Sequence, residues 1–349
     1  MATGPRTPIL LALTAATMFG ASVPFAQLLL GAIEPVMLAA LLYIGGGSAV
    51  VAARLVRGKK TGESPLVRRD YPWVVGTMLA GGFLAPVLLM VSLASTPAAT
   101  ATLLLNAEAV ATALIAAAFF GEVIGRRVGV AIGFITAAGV ILSFDPDGHF
   151  GFSLGALGVV GACALWGLDN NFARHISSKD PFAIGTVKGL GAGLLSLPLA
   201  LALGEAVPPL EVALPALLLG AVCYGVSMIC FVLALRSLGA ARTAGVFGLA
   251  PFIATGLALV IAPVVPGWQF FAALPLMAVG ALLIAREEHA HEHVHERVTH
   301  AHRHRHDDLH HDHAHESGDG ALVHAHVHTH EPVRHTHAHT PDIHHRHRH

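Results

Sequence analysis

The chain is a succession of long apolar stretches separated by short polar ones. Runs free of Asp, Glu, Lys, Arg and His cover residues 7–33, 35–53, 71–107, 128–144, 150–168, 189–204, 212–235 and 243–285. A helix that crosses a bilayer needs about 20 predominantly apolar residues, because hydrocarbon offers unpaired backbone groups no partner. Runs 71–107 and 243–285 are long enough for hairpins, and Ser95-Thr96-Pro97 and Pro263 to Gly267 supply turn residues between their halves. Ten spans are therefore expected, near 9–30, 35–55, 72–93, 97–119, 127–143, 153–174, 181–203, 212–235, 241–262 and 267–285. The first is too long for a signal-peptide core and reads as an uncleaved helix.

Charge then sets the orientation of this pattern. Outside the tail, the Lys and Arg residues between spans fall at Arg6, at Arg54, Arg57, Lys59, Lys60, Arg68 and Arg69, at Arg126 and Arg127, at Arg174 and Lys179, at Arg236 and Arg242, and at Arg286. The alternate loops carry none and hold Glu34, Asp145, Asp147, Glu205 and Glu211 instead. The positive-inside rule places both termini in the cytoplasm, and a helix count of nine or eleven would scramble the alternation.

The chain also repeats itself. In FGASVPFAQLLLGAIEP and WGLDNNFARHISSKDP, Gly20 aligns with Gly167, Phe25 with Phe172 and Glu34-Pro35 with Asp180-Pro181. Further on, Leu93, Ser95 and Ala98-Ala99 align with Leu235, Ser237 and Ala240-Ala241, and Gly139 with Gly280. Five spans per copy is an odd number, so the second copy crosses the membrane in the opposite sense, the inverted-repeat plan of secondary transporters. The expected fold is an all-α polytopic membrane protein: residues 1–143 form one five-helix repeat, 144–286 its inverted copy, and 287–349 a disordered tail.

Composition agrees with a lipid-embedded body and a polar appendage. Of 349 residues 54% are hydrophobic and 12% charged, with a mean hydropathy of +0.63, outside the usual range of soluble domains. Half of the acidic residues and all but two of the 25 histidines follow Arg286, so the net charge of −1 averages two unlike regions. Cys163, Cys223 and Cys230 all lie in apolar runs, as small buried side chains rather than disulfide partners.

On these residues the chain resembles the EamA-type branch of the drug/metabolite transporter superfamily. The likeness covers residues 9–285. It rests on Leu165-Trp166-Gly167, its weaker counterpart Met18-Phe19-Gly20, and LLNAEAVATALIAAAFFGE from Leu104 to Glu122. The resemblance implies export or exchange of small organic solutes, often proton-driven and without ATP, and a gating or capping role for Glu122. The second copy departs from the pattern, reading Pro263-Val264 where the first has Gly121-Glu122.

Charged side chains within the bilayer are costly and mark pathways or partners. Glu108, Asp169 and Lys188 are the candidates for transport and coupling. Asp169 and Lys188 fall at similar depth, either as a switchable pair beside the solute path or as a permanent pair between helices. Glu108 has no basic residue expected at its depth and is the candidate for proton exchange. Asn106, Trp166, Asn170, Asn171 and Tyr224 are candidates to bind polar groups of a solute; asparagines between membrane helices also serve as packing contacts.

The tail alternates His-x-His and lacks the apolar content for a core. His289, His291, His293, His295, His300, His302, His304, His306, His310, His311, His313 and His315 are the candidate metal ligands, suited to Zn, Ni, Co or Cu. The leading reading is a secondary transporter of an amino acid or metabolite in the plasma membrane, with no required cofactor and a metal-binding tail. Its partners are lipid, a small solute and divalent metals; nothing points to nucleic acid, and a homodimer is left open. The alternatives are a transition-metal exporter and a membrane metal sensor that transports nothing. No nucleotide-binding loop or catalytic constellation points to an enzyme.

Overall fold

The computed structural model of the protein describes residues 6–57, 64–120, 125–143, 153–176, 179–231, 233–234, 246–261 and 266–285, and in the tail the backbone of four short strands. Among the described residues the apolar runs form ten helical segments. They are α1 (Arg6–Leu29), α2 (Pro35–Arg57), α3 (Arg68–Leu93), α4 (Ala98–Phe120), α5 (Arg126–Ser143), α6 (Leu154–Ile176), α7 (Pro181–Ala202), α8 (Leu210–Phe231), α9 (Ala250–Ile261) and α10 (Trp268–Ala285). By length and composition α1, α2, α3, α4, α7 and α8 are each able to cross a membrane, while α9 and α10 are shorter apolar helices. Large apolar side chains such as Leu10, Phe119, Val260 and Phe271 face outward, as the surface of a lipid-embedded bundle requires.

Three of these helices are irregular where the apolar pattern is not. α3 contains a π turn at Met78–Leu84 and α8 a second at Gly220–Val226. α4 breaks at Leu105-Asn106, between helical pieces Ala98–Leu104 and Ala107–Phe120.

The helices meet at bare glycine. A Cβ on Gly47 of α2 would lie 2.8 Å from the carbonyl carbon of Gly189 in α7, so only glycine permits this crossing. The first and second halves of the sequence also make matching contacts. Gly20 of α1 abuts the Ala250 carbonyl of α9, where an added Cβ would come within 2.6 Å, and Gly167 of α6 abuts Ala111-Thr112 of α4, within 2.8 Å. The aligned glycines thus have one physical purpose, close approach of helix backbones.

The starts of α2 and α7 are both marked by proline, which fits the first helical turn. Asp180 caps its own helix, its Oδ1 accepting from Phe182 N–H at 2.9 Å. At α2 the cap comes from far along the chain: Glu205 accepts from the N–H groups of Val36 (3.2 Å) and Met37 (2.6 Å). Gly204, at φ 83°, ends α7 in a left-handed turn, with Glu205 N–H bonded to Ala200 O at 3.0 Å, and this turn delivers Glu205 to α2. At the opposite ends of these helices, Arg54 pairs with Asp180 at 3.6 Å and Lys179 with Asp70 at 3.5 Å.

Part of the tail backbone is described as four short strands. Its backbone pairs His289–Val294 with Arg334–His339 and Val298–Arg305 with Val323–His330, both antiparallel. Alternation of histidine with other residues has the period of a strand. His295, His306, His310, His311, His313 and His315 lie outside the described residues, as does Glu122.

Candidate functional site

The expected charged residues lie where α3, α4, α6 and α7 meet. Asp169 of α6 is 3% exposed and accepts from the Lys188 ammonium of α7 through Oδ2. Its other oxygen, Oδ1, is buried with no hydrogen-bond partner among the described residues. The pair is seated on the π turn of α3. A Cβ on Gly81 would fall on the Asp169 carboxylate, and one on Gly82 would lie 3.3 Å from Lys188 Cγ and 2.9 Å from Ala192 Cβ. Two successive glycines therefore make the seat.

The same turn receives two polar side chains. Tyr43 Oη of α2 donates to the Gly81 carbonyl at 2.9 Å, and Trp166 Nε1 of α6 donates to that same oxygen at 3.0 Å. Trp166, a candidate for solute contact, thus gives its indole N–H to α3. Its ring meets Phe19 edge-on at 6.1 Å; Phe19 meets Tyr224 of α8 at 6.2 Å, and Tyr224 meets Tyr43 at 5.2 Å. An aromatic cluster from four helices thereby adjoins the ion pair.

Glu108 stands in the first turn of the second piece of α4. Its Oε1 accepts from Asn170 Nδ2 at 2.8 Å, and the same amide lies 3.2 Å from Thr112 Oγ1. Asn171 donates to Gly167 O at 2.8 Å and to Thr112 O at 3.1 Å, binding α6 to α4. Asn106, 6% exposed, turns its amide back onto Leu103 O at 2.9 Å and so caps the break in α4. Glu108, Asp169, Lys188, Asn170, Asn171 and Trp166 thus form one neighbourhood, with Tyr224 reached through the aromatic cluster. Among the described residues no group of three or more His, Cys, Asp or Glu side chains is placed to hold a metal ion.

The apolar pattern did not single out Tyr43, Gly81, Gly82, Thr112 or Gln27. Gln27 of α1 clasps the turn between α3 and α4, donating to Thr96 O at 2.8 Å and accepting from Ala98 N–H at 2.8 Å. For Gly81-Gly82 the sequence trace was a glycine pair followed by Pro86 within one apolar run.

Comparison with known proteins bears on what this arrangement serves. The EamA-like transporter family matches twice, over residues 6–144 and 153–286. An uncharacterized transporter from Methanothermobacter thermautotrophicus is 28% identical over 267 residues, spanning 71% of this chain and 77% of that protein. A solved crystal structure superposes with a TM-score of 0.55 at 21% identity, covering 80% of this chain and 97% of that one, a likeness of fold alone.

Proposed function

Because the chain belongs to the EamA-like transporter family and is a multi-pass membrane protein, we propose that it is a secondary transporter exporting or exchanging a small organic solute of the amino acid or metabolite class. It acts in the plasma membrane as two inverted five-helix repeats, with both termini cytoplasmic. The observation that carries this reading is the buried Asp169–Lys188 pair, one carboxylate oxygen unpartnered among the described residues, which joins two helices of the second family match and is seated on α3 of the first. Charge is retained in such surroundings where it serves a path or a switch.

Glu108 is the proposed proton-coupling group, hydrogen-bonded to Asn170, the residue beside Asp169. Trp166, Tyr224, Asn106 and Asn171 then act mainly by shaping the neighbourhood. No cofactor is required in this reading. The tail histidines bind Zn²⁺, Ni²⁺, Co²⁺ or Cu²⁺ and tune transport rather than form the permeation path, since a segment outside the bilayer cannot carry ions through hydrocarbon.

Counterflow in proteoliposomes tests the reading. Vesicles loaded with an equimolar mixture of the common amino acids are expected to accumulate radiolabelled members of that mixture, faster with an imposed proton gradient. Glu108→Gln keeps the shape and the hydrogen bond to Asn170 but cannot ionise, so its counterflow should lose the response to the gradient. A full gradient response in this variant would remove Glu108 from coupling.

A further inference from the structure

The irregular turn of α3 leaves one carbonyl free, for a reason that lies in its own sequence. A π turn pairs each carbonyl with the N–H five residues on, and Ala85 N–H accordingly donates to Ala80 O. The next bond in that series would run from residue 86 to the Gly81 carbonyl. Residue 86 is proline, which has no N–H, so the series stops there. Gly81 O is left without a donor in its own helix. A buried carbonyl in that state carries a desolvation cost unless another group supplies the proton.

Two groups do, from two helices that belong to different family matches: Tyr43 Oη of α2 and Trp166 Nε1 of α6. Both side chains are buried, at 8% and 6% exposure. The carbonyl they hold belongs to the residue whose Cα faces the Asp169 carboxylate. Its location is therefore coupled to that of the ion pair. A shift of the π turn by one residue would rotate the glycines away from Asp169 and Lys188, and Pro86 fixes where the turn ends.

We propose that Tyr43 and Trp166 are positioning residues of the transport site: by jointly holding the Gly81 carbonyl that Pro86 leaves free, they keep the π turn of α3 under the Asp169–Lys188 pair, and the making and breaking of this latch accompanies the movement of α3 during transport. The second clause rests on the transporter reading; the latch itself does not.

Nitrogen-15 labelling of tryptophan in the full chain, purified in detergent, gives three indole N–H signals, from Trp73, Trp166 and Trp268, and Trp166→Phe identifies the one of interest. Pro86→Ala supplies the missing N–H, which takes the Gly81 carbonyl within α3, so the Trp166 indole proton is expected to move upfield while the other two stay. Tyr43→Phe removes the competing donor, so the same proton is expected to move downfield as its bond strengthens. A Trp166 signal unmoved in both folded variants overturns the latch. If Pro86→Ala does not fold, the downfield shift in Tyr43→Phe decides alone.

Amino-acid counterflow supplies the functional arm. Tyr43→Phe is expected to lower the maximal rate severalfold with the half-saturating concentration unchanged, and an unchanged rate overturns the positioning role. Absence of counterflow in the unaltered protein would count against the proposed function, while the indole shifts would still decide whether the latch exists.

Discussion

Two π turns occur among the described residues, at Met78–Leu84 in α3 and Gly220–Val226 in α8, and the protein uses them differently. The turn in α3 is surrounded by polar side chains: its glycines face Asp169 and Lys188, and its free carbonyl takes Tyr43 and Trp166. The turn in α8 is surrounded by backbone. Gly220 lies against the Leu42 carbonyl of α2, Gly45 of α2 against the Leu217 carbonyl, and a Cβ on Gly46 would lie 3.2 Å from Gly220 O. No proline follows at the position equivalent to Pro86; the residue five after Cys223 is Met228, which has an N–H. The same backbone irregularity thus holds charge in one half and close packing in the other. Side-chain latches have alternative partners and can be remade, whereas glycine backbones in contact have only one arrangement.

The largest effect should come from unbalancing the charges on the α3 turn. Asp169→Asn or Lys188→Met alone leaves one unpaired buried ion, a loss of about 3–5 kcal/mol, while the double variant removes both charges and should recover much of it. Melting temperatures of the purified variants measure this. Hydrogen exchange should rise in residues 78–84 of the single variants and stay unchanged in 220–226. Equal disturbance at both turns would erase the distinction between them.

A smaller pair of substitutions tests what each glycine faces. In Gly220→Ala the new methyl meets the Leu42 carbonyl of α2, which cannot yield without moving the helix, so a destabilisation of about 1–3 kcal/mol is expected. In Gly81→Ala it meets the Asp169 carboxylate, which can rotate away, and Asp169 Cβ at 2.6 Å, which yields only if α6 shifts. That variant should lose counterflow along with some stability, the stability loss being the smaller of the two because part of the clash is with a rotatable side-chain end. Stability losses in the reverse order would mean that α3, not α8, is the rigid partner.

How much of this was legible in the sequence follows from what each feature depends on. The helices were, because hydrocarbon demands long apolar runs, and the Asp169–Lys188 meeting was, because residues in the same halves of adjacent helices share a depth. The π turns were not. They depend on which carbonyl finds a donor across the bundle, and Gly81-Gly82 with Pro86 resembles an ordinary helix kink when read alone. For Trp166 and Asn106, candidates for either solute contact or packing, the sequence did not reveal that Trp166 Nε1 goes to Gly81 O and Asn106 Nδ2 to Leu103 O, since these acceptors are created by backbone irregularities in the bundle. Among the described residues six helices are long and apolar enough to cross by themselves; the description around α9 begins only at Val246, and α6 carries Asp169, Arg174 and His175 within its length.

The smallest expected effect concerns the cap that one half lends the other. α7 begins on its own Asp180, but α2 begins on Glu205, brought there by the left-handed Gly204 that closes α7. Glu205→Ala removes the acceptor for Val36 and Met37 N–H and should cost about 0.5–2 kcal/mol, the usual range for losing a helix cap. Glu205→Gln keeps one acceptor oxygen and should cost less. The loss should also travel in a defined direction. α2 presents Gly45 and Gly46 to α8 along bare backbone, so a loosened α2 leaves the α8 turn without its only arrangement, while α3 still has Trp166 when Tyr43 shifts. Hydrogen exchange in Glu205→Ala is therefore expected to rise in residues 220–226 and little in 78–84, the reverse of the pattern expected for Asp169→Asn. Were both segments to respond alike to both substitutions, the two turns would be one cooperative unit, and the division between a latched helix and a packed one would have to be abandoned.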